Sequence, residues 1–502
     1  MRTTWIQWTL VLLTGFAMQA VGAQRDLDSL DAWVRGMSPA PFIRCGEQAW
    51  LDQLDDTREM WLEATPLERV SATNKLLQTL QDSHAAVSTM HWIWDVEKRR
   101  GTIPVRWAIE GQALWVMDSG VEGLPQEVRV LSLNGIPAED CVKAACDLAP
   151  QEGESTVATA RAAAHNITCW VLEATNTDSL TIDWVDPHAQ VASTTKTFGV
   201  PLRKSFKAWA PISTRRPVVD WTFPDGTGLN GWDSWKKSRE ARRLSKEGHH
   251  IQTTWNGTAT LKISSFSQGS WGRYHRRLFK GFYMMDQWNV PLVIDLRSNA
   301  GGQSPRMEAL WRHIALQPAT LPYALVAKQS PATWATNRKV YRRLRKRWID
   351  KHRHDIEEAA YMYGMANLPI GEVDTLTFKK KPLASYRHEG AMALLIDGES
   401  ASATVSFAGA FQAAERGPVI GEPCMGPAQG TMGNPYLMTL PESGIRVSLS
   451  TAVYMAQPTN DWAGSENIQP DFYVNTMWRR DSDLDQAIRL WQQTAGQSMR
   501  RR

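Results

Sequence analysis

Residues Leu394 to Ala410 read LLIDGESASATVSFAGA, and the fold turns on how this stretch is taken. The apolar run Ala393 to Ile396 predicts a buried strand. Asp397 and Gly398 break it, and a helix follows with Phe407, Ala410 and Phe411 on one face. Ser400, Ser402 and Thr404 alternate with alanines at the junction. A serine at a strand-to-helix turn holds its hydroxyl in the open, where the first helical amides face an oxyanion. A lone Ser-Ala-Ser is more often a plain turn whose hydroxyls cap the helix. The argument for chemistry therefore rests on the rest of the chain.

Upstream, Pro291 to Leu296 predicts a second buried strand, ending in Asp295-Leu296-Arg297-Ser298-Asn299-Ala300-Gly301-Gly302. Two glycines after such a strand let the backbone approach a ligand without a Cβ in the way. Their amides are candidates for an anion-binding nest. Thr258 to Phe266 alternates as a strand does, and Tyr274 to Trp288 is amphipathic in the helical period. Downstream come a strand and glycine-rich loop (Val419 to Gly433), a strand over Ile445 to Tyr454, and a polar turn around Glu466. A closing helix is expected over Leu484 to Trp491.

The chain of 502 residues has ample material for two or three domains. Met1 to Ala23, with Arg2, an apolar core and a Val-Gly-Ala ending, reads as a signal peptide. No later run is long and apolar enough to span a bilayer. The protein is thus expected to be exported, periplasmic or secreted. A formal charge of +4 calls for no nucleic-acid partner. The five cysteines form no CxxC pair and no HExxH occurs, so neither a metal nor a cofactor is expected. Leu67, Val70, Leu76, Leu77 and Leu80 recur at helical spacing and stop at Asp82-Ser83-His84, which sets an imidazole on a fixed support. Ile103 to about Val200 mixes α and β signals around an Asn134-Gly135 turn. The run KKSREARRLSKEGHH reads as a solvated loop. The basic run RKVYRRLRKRWIDKHRHD, with Val340, Tyr341, Leu344 and Trp348 on one face, predicts a surface helix, a lid or a membrane-surface contact.

In this order, GTATLKISSF, PLVIDLRSNAGG, LLIDGESASATVSFAGAF, PVIGEPCMG and ENIQPDFYV resemble the tail-specific (C-terminal processing) serine peptidase family. LQDSHAAV resembles the motif of its tricorn-core branch, and LSLNGIPAED more loosely its PDZ-like domain. The resemblance implies an α/β fold: a crotonase-like ββα core preceded by a helical region and a PDZ-like segment. It divides the chain into a signal peptide (1–23), a helical region with the Ser-His motif (24–95), a PDZ-like segment (96–200) and a charged linker (201–257). The peptidase core follows (258–480, with a basic insertion at about 317–390), then a helix and tail (481–502).

The same resemblance implies Ser402 as nucleophile, with Ser400 as the fallback, His84 as base, and Ser83 and Glu466 behind it. It implies oxyanion donors at Ala403 and at a glycine of Gly301-Gly302. The lysine base of the processing branch falls on Pro427, and no lysine follows Lys381. The glutamate usual after the nucleophile is Val405. The chemistry is coherent on general grounds, since a serine hydroxyl needs an adjacent base to attack at neutral pH. The expected activity is endopeptidase cleavage of unfolded proteins or peptides through an acyl-enzyme. A carrier of apolar ligands and a pseudo-peptidase scaffold are the alternatives.

Overall fold

The computed structural model describes residues 24–491 except 62, 154–155, 189–191, 202–217, 223–257, 289, 332–333, 335–337, 339–363, 366, 428, 459–463, 465, 477–485 and 490. The expected signal peptide, most of the charged linker and the basic helix around Arg342 lie outside the described residues.

The architecture is mixed α/β. At its centre is a six-stranded sheet in the order Phe472–Tyr473, Val419–Gly421, Met392–Ile396, Leu292–Asp295, Ala259–Ile263, Val219–Thr222. All neighbours are parallel except the last pair. Parallel strands are covered on both faces, which is why these segments read as unbroken apolar runs. Side chains alternate between the faces. Leu292, Ile294, Met392, Leu394 and Ile396 pack with helices Trp271–Trp288, Ser304–Trp311 and Ala403–Ala413. Val293, Ala393, Leu395 and Ile420 instead meet Ile488 and Trp491 of the closing helix.

The strands Leu292–Asp295 and Met392–Ile396 are direct neighbours, with Asp295 opposite Leu395. Each runs into one of the two suspected site loops, so both loops emerge at the same sheet edge. In open parallel sheets this carboxyl edge is where ligands bind.

Residues 102–200 form a unit with its own apolar core. Its sheet runs Val105–Glu110, Ala113–Ser119, Arg129–Leu133, Ser179–Val185, Ala192–Phe198, all antiparallel. Asn134 and Gly135 take positive φ (51° and 79°), as their turn requires.

Helices at residues 24–37, Glu47–Trp61 and Pro66–Gln78 pack around Trp50, Trp61 and Leu76. Thr65 and Glu68 close a capping box on the last of these. The helical region is tied to the C-terminal part of the chain, because Ala86–Val87 pairs with Arg446–Leu449.

Three local expectations are revised. Ile445 to Tyr454 is two strands, Arg446–Leu449 and Ala452–Met455, which belong to different sheets. The break falls where Ser450 turns its hydroxyl to Asp82 and Thr451 bonds Asn434. The segment taken as an insertion contributes Ala324–Lys328 and Val373–Thr377, which pair with each other in a four-stranded sheet. The linker contributes Val219–Thr222 to the central sheet. No described helix is long and apolar enough to cross a membrane, and all five cysteines are free.

Candidate active site

Ser402 is the N-cap of helix Ala403–Ala413, with φ 56° and ψ −122°. A non-glycine residue held in such a conformation costs about 1–3 kcal/mol and marks a position the surroundings over-determine. The same strained strand-to-helix turn is how a nucleophilic serine is presented at the top of an α/β sheet. Ser400 is fully buried and donates to Leu296 O at 3.0 Å or Asp397 Oδ1 at 3.1 Å. Ser402 is partly exposed. Ser400 therefore braces the turn, and Ser402 is the serine it displays.

Gly301 lies directly against this turn. A Cβ built on it meets Ala401 O at 2.6 Å, Ser402 Cβ at 2.7 Å and Ala403 N at 2.8 Å, and its φ is +87°. Only glycine lets the loop approach this closely. Asn299 fastens the two segments. Its carbonyl accepts from Ala401 N (3.1 Å) and Thr404 Oγ1 (2.8 Å), and its side chain accepts from Gly301 N at 2.9 Å.

That last bond alters the expected donor set, since the Gly301 amide is already committed to Asn299. Gly302 bridges Phe266 through the flanking groups, Phe266 N to Gly301 O and Gln303 N to Phe266 O. Its own N–H therefore points away from that bridge. Ala403 N–H opens the helix without an intrahelical partner. Gly302 and Ala403 are the pair available to an oxyanion.

The Ser83-His84 motif sits in the turn between helix Pro66–Gln78 and strand Ala86–Val87. Asp82 Oδ1 accepts the His84 amide at 2.9 Å and the Ser450 hydroxyl at 3.0 Å, which fixes the turn. Ser83 Oγ lies 3.4 Å from His84 Nδ1 and donates to Glu152 Oε2 at 2.5 Å. Glu152 is wholly buried beside the equally buried guanidinium of Arg44, at 3.4 Å. Burial drives its carboxyl above the usual range, against the pull of Arg44 and His84. Arg44 is held in turn by Gln81 O and Gly430 O.

Two contacts join this cluster to Ser402. Ala401 forms a bridge with Met425, and Met425 N donates to Ser400 O at 2.9 Å. The next residue, Gly426, lies against Glu152: a Cβ there would sit 2.8 Å from its Cδ. No hydrogen bond between Ser402 and His84 is present. Catalytic bonds are often long without substrate and tighten in the complex.

Glu466 does not join the cluster. It is exposed, whereas the adjacent Asn467 is buried and donates to Glu152 O (3.0 Å) and Cys424 O (2.8 Å). The carboxylate that Ser83 meets is that of Glu152, and nothing in its local sequence, APQEGES, announces it. Asp82, His84 and Glu152 bring potential ligand atoms within 4.8 Å of one another. Glu152 is already held by Arg44, Ser83 and the Met432 amide.

Residues 257–474 match the sequence model of Peptidase family S41. In structure the chain is similar to mature CPAF, with a TM-score of 0.58 at 12% identity over 93% of this chain and 95% of that one. It is also similar to mature CPAF complexed with lactacystin, with a TM-score of 0.59 at 12% identity over 95% and 98%. Tricorn protease gives a TM-score of 0.33 at 10% identity over 93% of this chain and 36% of that one. No curated protein matches the chain by sequence. At such low identity the CPAF likeness speaks for fold, and it extends well outside the matched segment.

Proposed function

Because its residues 257–474 place the chain in peptidase family S41 as a serine-type peptidase, we propose that it cleaves peptide bonds with Ser402 as nucleophile and His84 as base. The observation that carries this reading is the strained Ser402 turn with Gly301 packed against it. His84 removes the Ser402 proton as Oγ attacks the scissile carbonyl, then returns it to the departing amine. The oxyanion forms at Gly302 N–H and Ala403 N–H, each such donor being worth about 3–4 kcal/mol. Water, activated by the same imidazole, then releases the acyl group. Ser83 and Glu152 hold His84 in orientation.

A lysine base has little to support it. Pro427 stands where that branch has lysine, and Lys262, on the neighbouring strand, is engaged by Asp295 at 2.9 Å. The leader-like residues 1–23 support export, and an exported S41 chain is expected to act on unfolded proteins or peptides. The unit at 102–200, compatible with a PDZ-like segment, offers sheet edges to which an extended chain can add.

Labelling with a fluorophosphonate tests the reading. Ser402 is expected to react in the wild type, and Ser402→Ala to be silent. Absence of labelling favours a carrier or scaffold. Comparing one unfolded substrate with free and amidated C-terminus tests specificity. Equal cleavage marks a general endopeptidase, whereas a loss of about tenfold on amidation marks tail recognition.

A further inference from the structure

The loop bearing Gly301 and Gly302 and the turn bearing Ser402 converge on one buried carboxylate that the mechanism above does not use. Asp397 follows strand Met392–Ile396 and is 7% exposed. Both its oxygens accept Ser298 N–H at 2.9 Å, and Oδ2 also faces Ser298 Oγ at 3.3 Å. Oδ1 accepts Glu399 N–H at 3.0 Å and lies 3.1 Å from Ser400 Oγ. Asp397 N–H donates back to Ser400 Oγ at 3.1 Å. One side chain thus holds the start of the oxyanion loop and the turn two residues before the nucleophile.

Ser298 has φ 59°, a left-handed conformation uncommon for a non-glycine residue. Something must hold it there, and the two bonds from its amide to Asp397 do so. The next residue, Asn299, positions Gly301, Ala401 and Thr404. Releasing Ser298 therefore loosens the contact that aligns the oxyanion donors with Ser402.

The charges facing Asp397 come from three segments. Arg297, in the oxyanion loop, forms a salt bridge with Asp295 at the end of its own strand, as does Lys262. Glu399 lies in the nucleophile turn and faces His165. Glu422 follows strand Val419–Gly421 and is paired with Arg161 of helix Thr156–Ala164. The buried thiol of Cys424 is a further neighbour. Burial first, and then the negative charge of Glu399, push the Asp397 carboxyl up to about 6, against Ser298 N–H and Arg297.

We propose that Asp397 is a positioning residue of this peptidase, whose ionised carboxylate keeps the Ser298–Gly302 loop aligned with the Ser402 turn. Protonation weakens its grip on the Ser298 amide and lets the loop relax. This rests on the reading of Ser402 as nucleophile.

Amide hydrogen exchange of the full-length protein tests the proposal without reference to activity, with the inner strand Ser179–Val185, paired on both sides, as internal control. In the wild type, protection of Ser298 and Gly301, corrected for intrinsic rates, is expected to fall as pH drops through about 6 while the control strand holds. In Asp397→Asn the protection is expected to be low at every pH, with kcat down about tenfold or more and KM within about twofold. The wild-type pH series stands even if the variant folds poorly. Unchanged Ser298 protection in both experiments overturns the proposal. Failure of wild-type Ser402 to react with a fluorophosphonate overturns the nucleophile reading instead, so the two failures are told apart.

Discussion

Ser83 donates its hydroxyl to Oε2 of Glu152 at 2.5 Å across 69 residues of chain, while Ser83 Oγ itself stands 3.4 Å from His84 Nδ1. The cluster around His84 is therefore assembled from two regions. The helical N-terminal segment supplies the histidine and serine, and the stretch after helix Ala138–Asp147 supplies the carboxylate. Its core-facing side is closed by Gly426, Met432 and Asn467.

On the proposed mechanism, Glu152→Gln is expected to lower kcat by about 10- to 100-fold, since Glu152 holds Ser83 beside His84 and takes no proton from Ser402. Glu466→Gln, at an exposed position, is expected to stay within about twofold of wild type. Steady-state kinetics of both, normalised to folded protein by circular dichroism, decides which glutamate serves the site. Normalisation matters because Glu152→Gln leaves Arg44 buried without its counter-charge.

Gly426→Ala is expected to act like Glu152→Gln. Its Cβ would sit 2.8 Å from Glu152 Cδ and 3.1 Å from Oε1, and its φ of +114° disfavours any side chain. The methyl displaces the carboxyl from Ser83. Measured in a double-mutant cycle, the two changes should be clearly less than additive, because both break the same contact.

Gly301→Ala is expected to reduce kcat/KM by roughly 100-fold. The new Cβ collides with Ala401 O, Ser402 Cβ and Ala403 N, so the glycine loop and the Ser402 turn, and with them the proposed oxyanion donors, move out of register. Loss of one such donor alone costs about 10²–10³ in rate. Labelling of Ser402 by a fluorophosphonate should slow in parallel, whereas peptide binding to the inactive enzyme should change little.

His313 gives a pH dependence of stability. It stacks on Phe282 with ring centroids 4.4 Å apart, and burial lowers its pKa to about 4. The unfolded chain takes up this proton near the free imidazole value of about 6.5, the folded one only near about 4. The unfolded state therefore binds more protons between these values, and stability falls as pH falls through that window. The stability it contributes is fully present above 6.5. The expected loss is about 3 kcal/mol for a shift of this size. Thermal melts of His313→Asn should show a flatter decline from about pH 7 to about pH 4 than the wild type.

Much of the fold is decided locally. The segments Leu292–Asp295 and Met392–Ile396 read as buried strands because parallel strands covered on both faces need apolar side chains at every position. Gly301-Gly302 and the Ser-Ala turn are recognisable because close approach and a strand-to-helix turn constrain residue type at the positions themselves. The strand inside the apparent linker is harder to read, since Val219–Thr222 is only four residues long and gains its meaning from pairing with Ala259–Ile263. The break at Ser450-Thr451 is invisible for a similar reason. An apolar run shows that a strand exists, but not that its halves join different sheets.

The sequence by itself therefore determined the apolar strands, the two turns, the Ser-His motif beyond the helix and the missing lysine. Tertiary structure alone decided which serine is displayed, since Ser400 and Ser402 differ in burial and not in local pattern. It also decided which amides are free, because Asn299 has already taken that of Gly301. Above all it brought a buried carboxylate, that of Glu152, to the Ser83 hydroxyl beside His84. A buried glutamate is tolerated only where distant groups pair and bond it, and those of Glu152 come from Arg44, Ser83 and Met432. No local pattern near Glu152 records partners so far along the chain.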